Sequence, residues 1–260
     1  MGVVDRFAVN ATQQRPGTPT AADFWDEMFA KGRANPYSRV EMPDLDDPVL
    51  RRALEHFGDV NGKTLVDLGC GRGATSLFFA HCGARVISVD LSRVAIDNLA
   101  SYCRDNGVRN ITTVQMSAMD LDELGEVDFV FGSMILHHIE PFAEFALHLR
   151  TALRPGGKGF FWENNARSRL MIWCRDHLVG RFWIPKFGDT DEFPLTLDEI
   201  DELHKHFEVE VEYPELLLFR MIPFYLFRSH LVWPFGVLDR ICYRYPTIRQ
   251  HGYRQYICLR

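Results

Sequence analysis

The residues best suited to chemistry lie in the run VDLGCGRGATS (66–76), where Gly69, Gly71 and Gly73 follow a short apolar stretch and precede a helical one. Glycine lets the chain turn tightly and lets a ligand touch the backbone. The free amides at a helix N-terminus then face that ligand. Asp90 closes the next apolar run 21 residues after Gly69, where an acid can bind both hydroxyls of a ribose. Asp67, two residues before Gly69, discriminates between nucleotides. At the mouth of the loop its carboxylate would repel a pyrophosphate by ~1 kcal/mol or more per close pair. A nucleoside bearing an ammonium and a sulfonium suits that charge, and a dinucleotide, as in an NAD-dependent dehydrogenase, is the weaker reading.

A second group follows two later strands. His137 and His138 come after VDFVFGS (127–133), and Glu163, with Asn164 and Asn165, ends KGFFWE (158–163). In a parallel sheet, ligands gather at the carboxyl ends of strands. One histidine could act there as a general base toward a hydroxyl or an acidic carbon. The competing reading has the pair pack against the ligand and cap the next helix. Glu163 could orient an acceptor hydroxyl or amine from the rim, or be a solvent-facing cap, since Asn caps helices well. Trp25, Phe29 and Tyr37 are candidates for packing over the site from the N-terminal side.

These groups need a frame, and the pattern supplies one. Polar residues 1–22 read as an arm, and helices are expected over 23–34 and, opened by Pro48, through VLRRALEHF. Strands at 64–68, 84–90, 110–116, 127–133 and 158–163 then alternate with helices at 73–82, 92–106 and 141–153, the last closed by a Pro155-Gly156-Gly157 turn. Helices at 166–179 and 196–206 and strands at 207–213 and 253–259 complete the chain. Such alternation predicts a mostly parallel sheet covered by helices on both faces.

Taken together, VDLGCGRG (66–73), VISVDLS (86–92), SAMDLDEL (117–124), VDFVFGSMILHHI (127–139) and LRPGGKGFFWE (153–163) resemble the class I S-adenosylmethionine-dependent methyltransferases, in the branch acting on small molecules and quinones. The resemblance covers about residues 60–163 in the family's order and spacing. It implies an α/β, Rossmann-like seven-stranded sheet with an N-terminal lid (1–58) and a helical insertion before the last strand of a 59–260 domain. It implies S-adenosyl-L-methionine as cofactor, with Asp67 and the Gly69–Cys70–Gly71 backbone on the methionine part, Asp90 on the ribose and Leu91 against the adenine. Ala118 and Met119 would flank the adenine edge, and Gly132, Ser133 and Met134 would close from the fourth strand. Ser117 stands where the family often has Asp, so backbone contacts are expected in place of that side chain's contact to the base. The reaction implied is methyl transfer to a small, lipophilic O- or C-nucleophile. A cofactor-binding protein without methyl transfer, such as a cyclase, is the alternative.

Composition sets the remaining bounds. The chain has 260 residues, 47% of them hydrophobic and 25% charged, enough apolar mass for one globular domain with an extension. No export signal or spanning segment is visible, and the six scattered cysteines form no C-x-x-C pair, so reduced cytoplasmic thiols are expected and no metal site. From Pro214 onward there are seven Arg and no Lys against two acids, whereas the first 213 residues are strongly acidic, which argues against nucleic-acid binding. The stretch 214–252 is longer than a hairpin needs and holds LLLFRMIPFYLFRSHLVWPFGVLDRI (216–241). It could be a lid over a lipophilic acceptor, a contact between subunits, or a membrane-surface element with Arg220, Arg228, Arg240 and Arg244 at anionic headgroups.

Overall fold

A computed structural model describes residues 20–30, 38–178, 193–221, 223 and 232–260. Its centre is a seven-stranded sheet in the order β3-β2-β1-β4-β5-β7-β6. The strands are β1 (Thr64–Leu68), β2 (Arg85–Asp90), β3 (Ile111–Gln115), β4 (Val127–Ser133), β5 (Leu153–Asn164), β6 (Val209–Glu212) and β7 (Arg254–Leu259). Only β7 runs against its neighbours. The mostly parallel Rossmann-like sheet expected from the alternation is therefore the observed one. Because β7 is reversed, its first residues lie at the same edge as the carboxyl ends of β1, β2, β4 and β5.

The helices are α1 (Ala21–Ala30), α2 (Pro48–Phe57), α3 (Ala74–His81), α4 (Arg93–Asp105), α5 (Phe142–Ala152), α6 (Arg169–Leu178), α7 (Leu197–His204), α8 (Val232–Cys242) and α9 (Pro246–Arg249). Their starts follow local chemistry. Asp47 Oδ1 accepts the Val49 and Leu50 amides at 2.7 and 3.1 Å, and Pro48 follows with no amide to satisfy. Ser92 caps α4 through the Ala95 amide, and Thr196 with Glu199 forms a capping box on α7. One apolar layer packs Val66, Leu136, Phe145, Leu149, Phe161 and Ile257 on one sheet face. The other gathers Phe57, Phe79, Phe129, Phe131 and Phe160 beneath α2 and α3.

Two expectations are corrected, and one feature is new. The Pro155-Gly156-Gly157 segment lies inside β5, not in a turn before it. Pairing jumps from Val127↔Leu153 to Phe129↔Lys158, so the extra residues bulge out of the ladder. The helix expected from 166 begins at Arg169, because Asn165 Oδ1 takes the Arg167 amide at 2.9 Å and holds a turn there. Short 3-10 turns, unforeseen, occupy Ala118–Leu124 and Leu136–His138. The expected end of α1 at 31–34, Tyr37, and residues 222 and 224–231 of the long insertion fall outside the described residues.

Candidate functional site

Gly69, at φ +72°, turns the chain out of β1, and a Cβ there would come within 2.9 Å of the Ile135 side chain. Gly132, at the end of β4, would meet the same side chain at 2.7 Å. Ile135 thus sits between the glycine loop and β4, and the turn carrying His137 seats directly on the loop. Helix α1 covers the other side. Phe29 is buried with its ring against the Gly71 position, and Trp25 stands edge-on to His138 at 5.4 Å between centroids. Asp26 Oδ1 accepts the Ser92 hydroxyl at 2.6 Å and the Val94 amide at 3.1 Å, which ties α1 to the start of α4.

The two acids of the loop region play unlike parts. Asp90 receives the Gly71 amide on Oδ2 and the Ser92 amide on Oδ1, both at 2.8 Å. Burial nevertheless raises its affinity for a proton, an effect the amides oppose and the Asp26 charge assists. Leu91 beside it is 37% exposed, an apolar side chain left open at the strand end. Asp67 is not at the open mouth of the loop, as its position in the sequence suggested. It is 2% exposed and accepts the Ser76 hydroxyl at 2.5 Å, while Ser76 in turn accepts from Ser88 at 2.7 Å. Burial first, and the Asp90 charge second, push its carboxyl up to about 7. Arg72 is the one cation in the loop sequence. It is bound to Glu41 at 2.9 Å and to the Arg39 carbonyl, so it is not held out toward a phosphate.

Across the crevice, Ser117 caps the 3-10 turn through the Met119 amide, which leaves Ala118 and Met119 half-buried along β3's end. Ser133 ends β4, and Met134 follows with φ +53°, a left-handed conformation that costs a non-glycine residue energy. Glu163 departs most from expectation. It is neither a rim carboxylate nor a solvent-facing cap, because its side chain is fully buried. Oε1 accepts the Ile135 and Leu136 amides at 2.8 and 2.7 Å, and Oε2 meets His137 Nδ1 at 2.6 Å. A carboxylate only accepts, so Nδ1 carries a proton, and in the neutral imidazole Nε2 keeps its lone pair. His137 Nε2 has no hydrogen-bond partner among the described residues. His138 packs on His137 with 4.1 Å between ring centroids.

The rim continues into the insertion. Asn165 donates to the Gln250 and Gly252 carbonyls at 3.0 and 2.9 Å, anchoring the insertion's end beside β5. Asp239 is buried and receives the Phe219 and Arg220 amides, while Arg220 pairs with Asp239 and Glu215. Arg220 is therefore engaged within the insertion. Asp26, Ser76 and Ser88 carry the site's geometry without a sequence signal, because each acts on a residue of another element. Among the described residues no cluster of His, Cys, Asp and Glu is gathered as for a metal ion.

Residues 65–157 match the family model described as a methyltransferase domain. A ubiquinone biosynthesis O-methyltransferase of Rickettsia bellii is 24% identical over 177 residues, which cover 66% of this chain and 72% of that protein. A SAM dependent methyltransferase from Archaeoglobus fulgidus shares the fold with a TM-score of 0.55 at 15% identity, over 81% of this chain and 90% of that one. The cyclase SpnF does so too, at 0.55 and 16%, over 82% and 80%, so the fold alone does not specify a reaction. The sequence matches specify more than the fold: residues 65–157 carry the glycine loop, Asp90 and the β4 end in one methyltransferase domain, and the O-methyltransferase similarity extends beyond it. Residues 65–157 are thus a methyltransferase domain, and the chain is an S-adenosylmethionine-dependent methyltransferase similar to the class I enzymes of the small-molecule type, with S-adenosyl-L-methionine as its cofactor.

Proposed function

We propose that the acceptor is a small lipophilic molecule methylated on oxygen or carbon, with His137 as general base and Glu163 as the residue that positions it. The observation that carries this reading is the 2.6 Å contact from His137 Nδ1 to a fully buried Glu163. A base held in one tautomer by a carboxylate keeps its other nitrogen ready for a proton.

The residues of the loop fit the cofactor. An acid at the end of β2, an engaged Arg72 and a buried Asp67 favour a cationic nucleoside over a phosphorylated one. When bound, S-adenosylmethionine supplies an activated methyl group on a sulfonium. Asp90 would hold the ribose hydroxyls while fixing Gly71, and Leu91 would cover the adenine, flanked by Ala118 and Met119. The Gly69–Cys70–Gly71 backbone, with the charge of Asp67 beneath it, would receive the methionine part. Ser133 and Met134 would close over it from β4. The chain's own chemical work is then alignment, exclusion of water by α1, and removal of the acceptor's proton to His137 Nε2. His138 packs between His137 and Trp25, and we assign it support.

A second reading concerns the source of the acceptor. Helix α8 turns Trp233 (77% exposed), Leu238 and Ile241 to solvent, with Arg240 and Arg244 exposed nearby. An apolar face beside arginines suits the surface of an anionic bilayer. Among the described residues no helix is long and apolar enough to cross a membrane. Sedimentation with anionic vesicles tests the surface reading: binding that weakens with salt and with W233A supports it, and indifference to both refutes it.

The test of the function is turnover of His137→Ala on the true acceptor. A drop of ~10²-fold or more with unchanged cofactor affinity is expected. Unchanged turnover would leave alignment alone as the means of catalysis.

A further inference from the structure

We infer that Arg254 binds an acidic group of the acceptor, so that the molecule methylated carries a carboxylate or a phosphate. The inference rests on the methyl-transfer reading above and names the acceptor's chemical class. Arg254 opens β7, and the reversed direction of that strand brings it to the edge where the site lies. It pairs in the ladder with Asn164, one step from the Glu163↔Gln255 pair. Its Nη1 reaches the Met134 sulfur at 3.2 Å, three residues before His137. The guanidinium therefore lies against the start of the turn that carries the proposed base.

This guanidinium lacks the partner an arginine so placed ordinarily has. Its carbon is 4.8 Å from the Trp162 ring centroid and 5.1 Å from that of Tyr253, yet no carboxylate among the described residues pairs with it. Arg52, Arg72, Arg154, Arg220 and Arg260 each have an acidic partner. Glu215 and Glu163 act on Arg254 only through space, and a partly desolvated cation that no carboxylate contacts is costly. The polar group across the ladder from it is unsatisfied as well. Asn164, its partner in the ladder, has Oδ1 buried without a hydrogen bond. Buried polar atoms rarely go unpaired, and this one beside a guanidinium that no carboxylate contacts indicates a missing ligand. A half turn of the Asn164 amide exchanges its nitrogen and oxygen, so it can donate to the same anion as Arg254. The planar guanidinium fork, held on two aromatic rings, offers paired donors to a carboxylate or phosphate.

The test uses the full chain, methyl-labelled S-adenosylmethionine and a small-molecule extract of the source cells. Labelled products are passed over an anion exchanger at about pH 8 and at about pH 2.5; a carboxylic acid is held only at the first, and a phosphate at both. We expect a retained product, and either pattern names the anion. With the isolated acceptor, R254Q should raise KM at least tenfold and R254K less, with cofactor affinity unchanged as the check on folding. A neutral labelled product overturns the inference, as does an acidic product whose KM is the same in R254Q. If the protein binds S-adenosylmethionine and labels nothing, the methyl-transfer reading itself falls and this inference with it.

Discussion

Exchange of Glu163 for Gln separates positioning from packing with the loss of a single charge. Gln retains a carbonyl oxygen for the Ile135 and Leu136 amides, the two bonds that anchor the turn. Its amide group must then face His137 Nδ1, and it can only donate. The imidazole proton has to move to Nε2, and the lone pair that would accept the substrate's proton is lost. Recovering the productive tautomer means giving up a buried hydrogen bond, ~1–3 kcal/mol, and the imidazolium loses a charge-assisted bond of ~1.5–3 kcal/mol. The sum, ~2.5–6 kcal/mol, corresponds to a rate loss of ~10²–10⁴. Single-turnover measurement at saturating cofactor reads the rate, and nitrogen NMR of labelled histidine reads the tautomer without any acceptor. We expect Nδ1 protonated in the native protein and Nε2 protonated in E163Q. An E163Q protein that binds cofactor normally and turns over within about threefold of the native rate would show that Glu163 does not position the base.

Other outcomes follow from the same geometry. D90A should weaken S-adenosylmethionine binding by ~2–3 kcal/mol, and D90N less, since it still accepts the Gly71 amide; calorimetry decides, and an unchanged affinity sinks the ribose site. Asp67 titrates near 7 in the folded protein against an ordinary value of 3.8, so between those limits the fold holds a proton that the unfolded chain has released. Its contribution to stability therefore falls as pH rises through that window, and D67N should flatten the slope and melt higher than the native protein at about pH 8. A bound ammonium works the other way: cofactor affinity should rise from about pH 6 to 8 with release of a proton, and a flat profile would remove Asp67 from the site. D47A should cost ~1 kcal/mol in chemical denaturation through loss of the α2 cap, with no effect on cofactor affinity.

The frame was legible because periodicity carries it. β1 and β4 fall where their apolar runs end, and helix starts follow Asp47, Ser92 and Thr196. Position along a strand was a poorer guide to where a side chain points. Asp67 reads as a loop-mouth acid from its neighbours, but Ser76 from α3 and Ser88 from β2 turn it inward. Glu163 reads as a rim acid because it nearly ends β5, yet the turn at 134–138 folds over it and takes both oxygens. Arg254 gave no signal, since its place depends on β7 running against the sheet and that direction is set by tertiary packing. The aromatic insertion was visible as composition, but the outward orientation of Trp233 and the inward burial of Asp239 were not.

On the proposed function, His137, held by Glu163, takes the proton as the methyl group leaves the cofactor. One single-turnover experiment addresses it directly, comparing native protein and H137A with methyl-labelled S-adenosylmethionine and the isolated acceptor. We expect one S-adenosylhomocysteine formed per label transferred in both, a rate ~10²-fold or more lower in H137A, and equal cofactor affinity. Equal rates in the two proteins would contradict it.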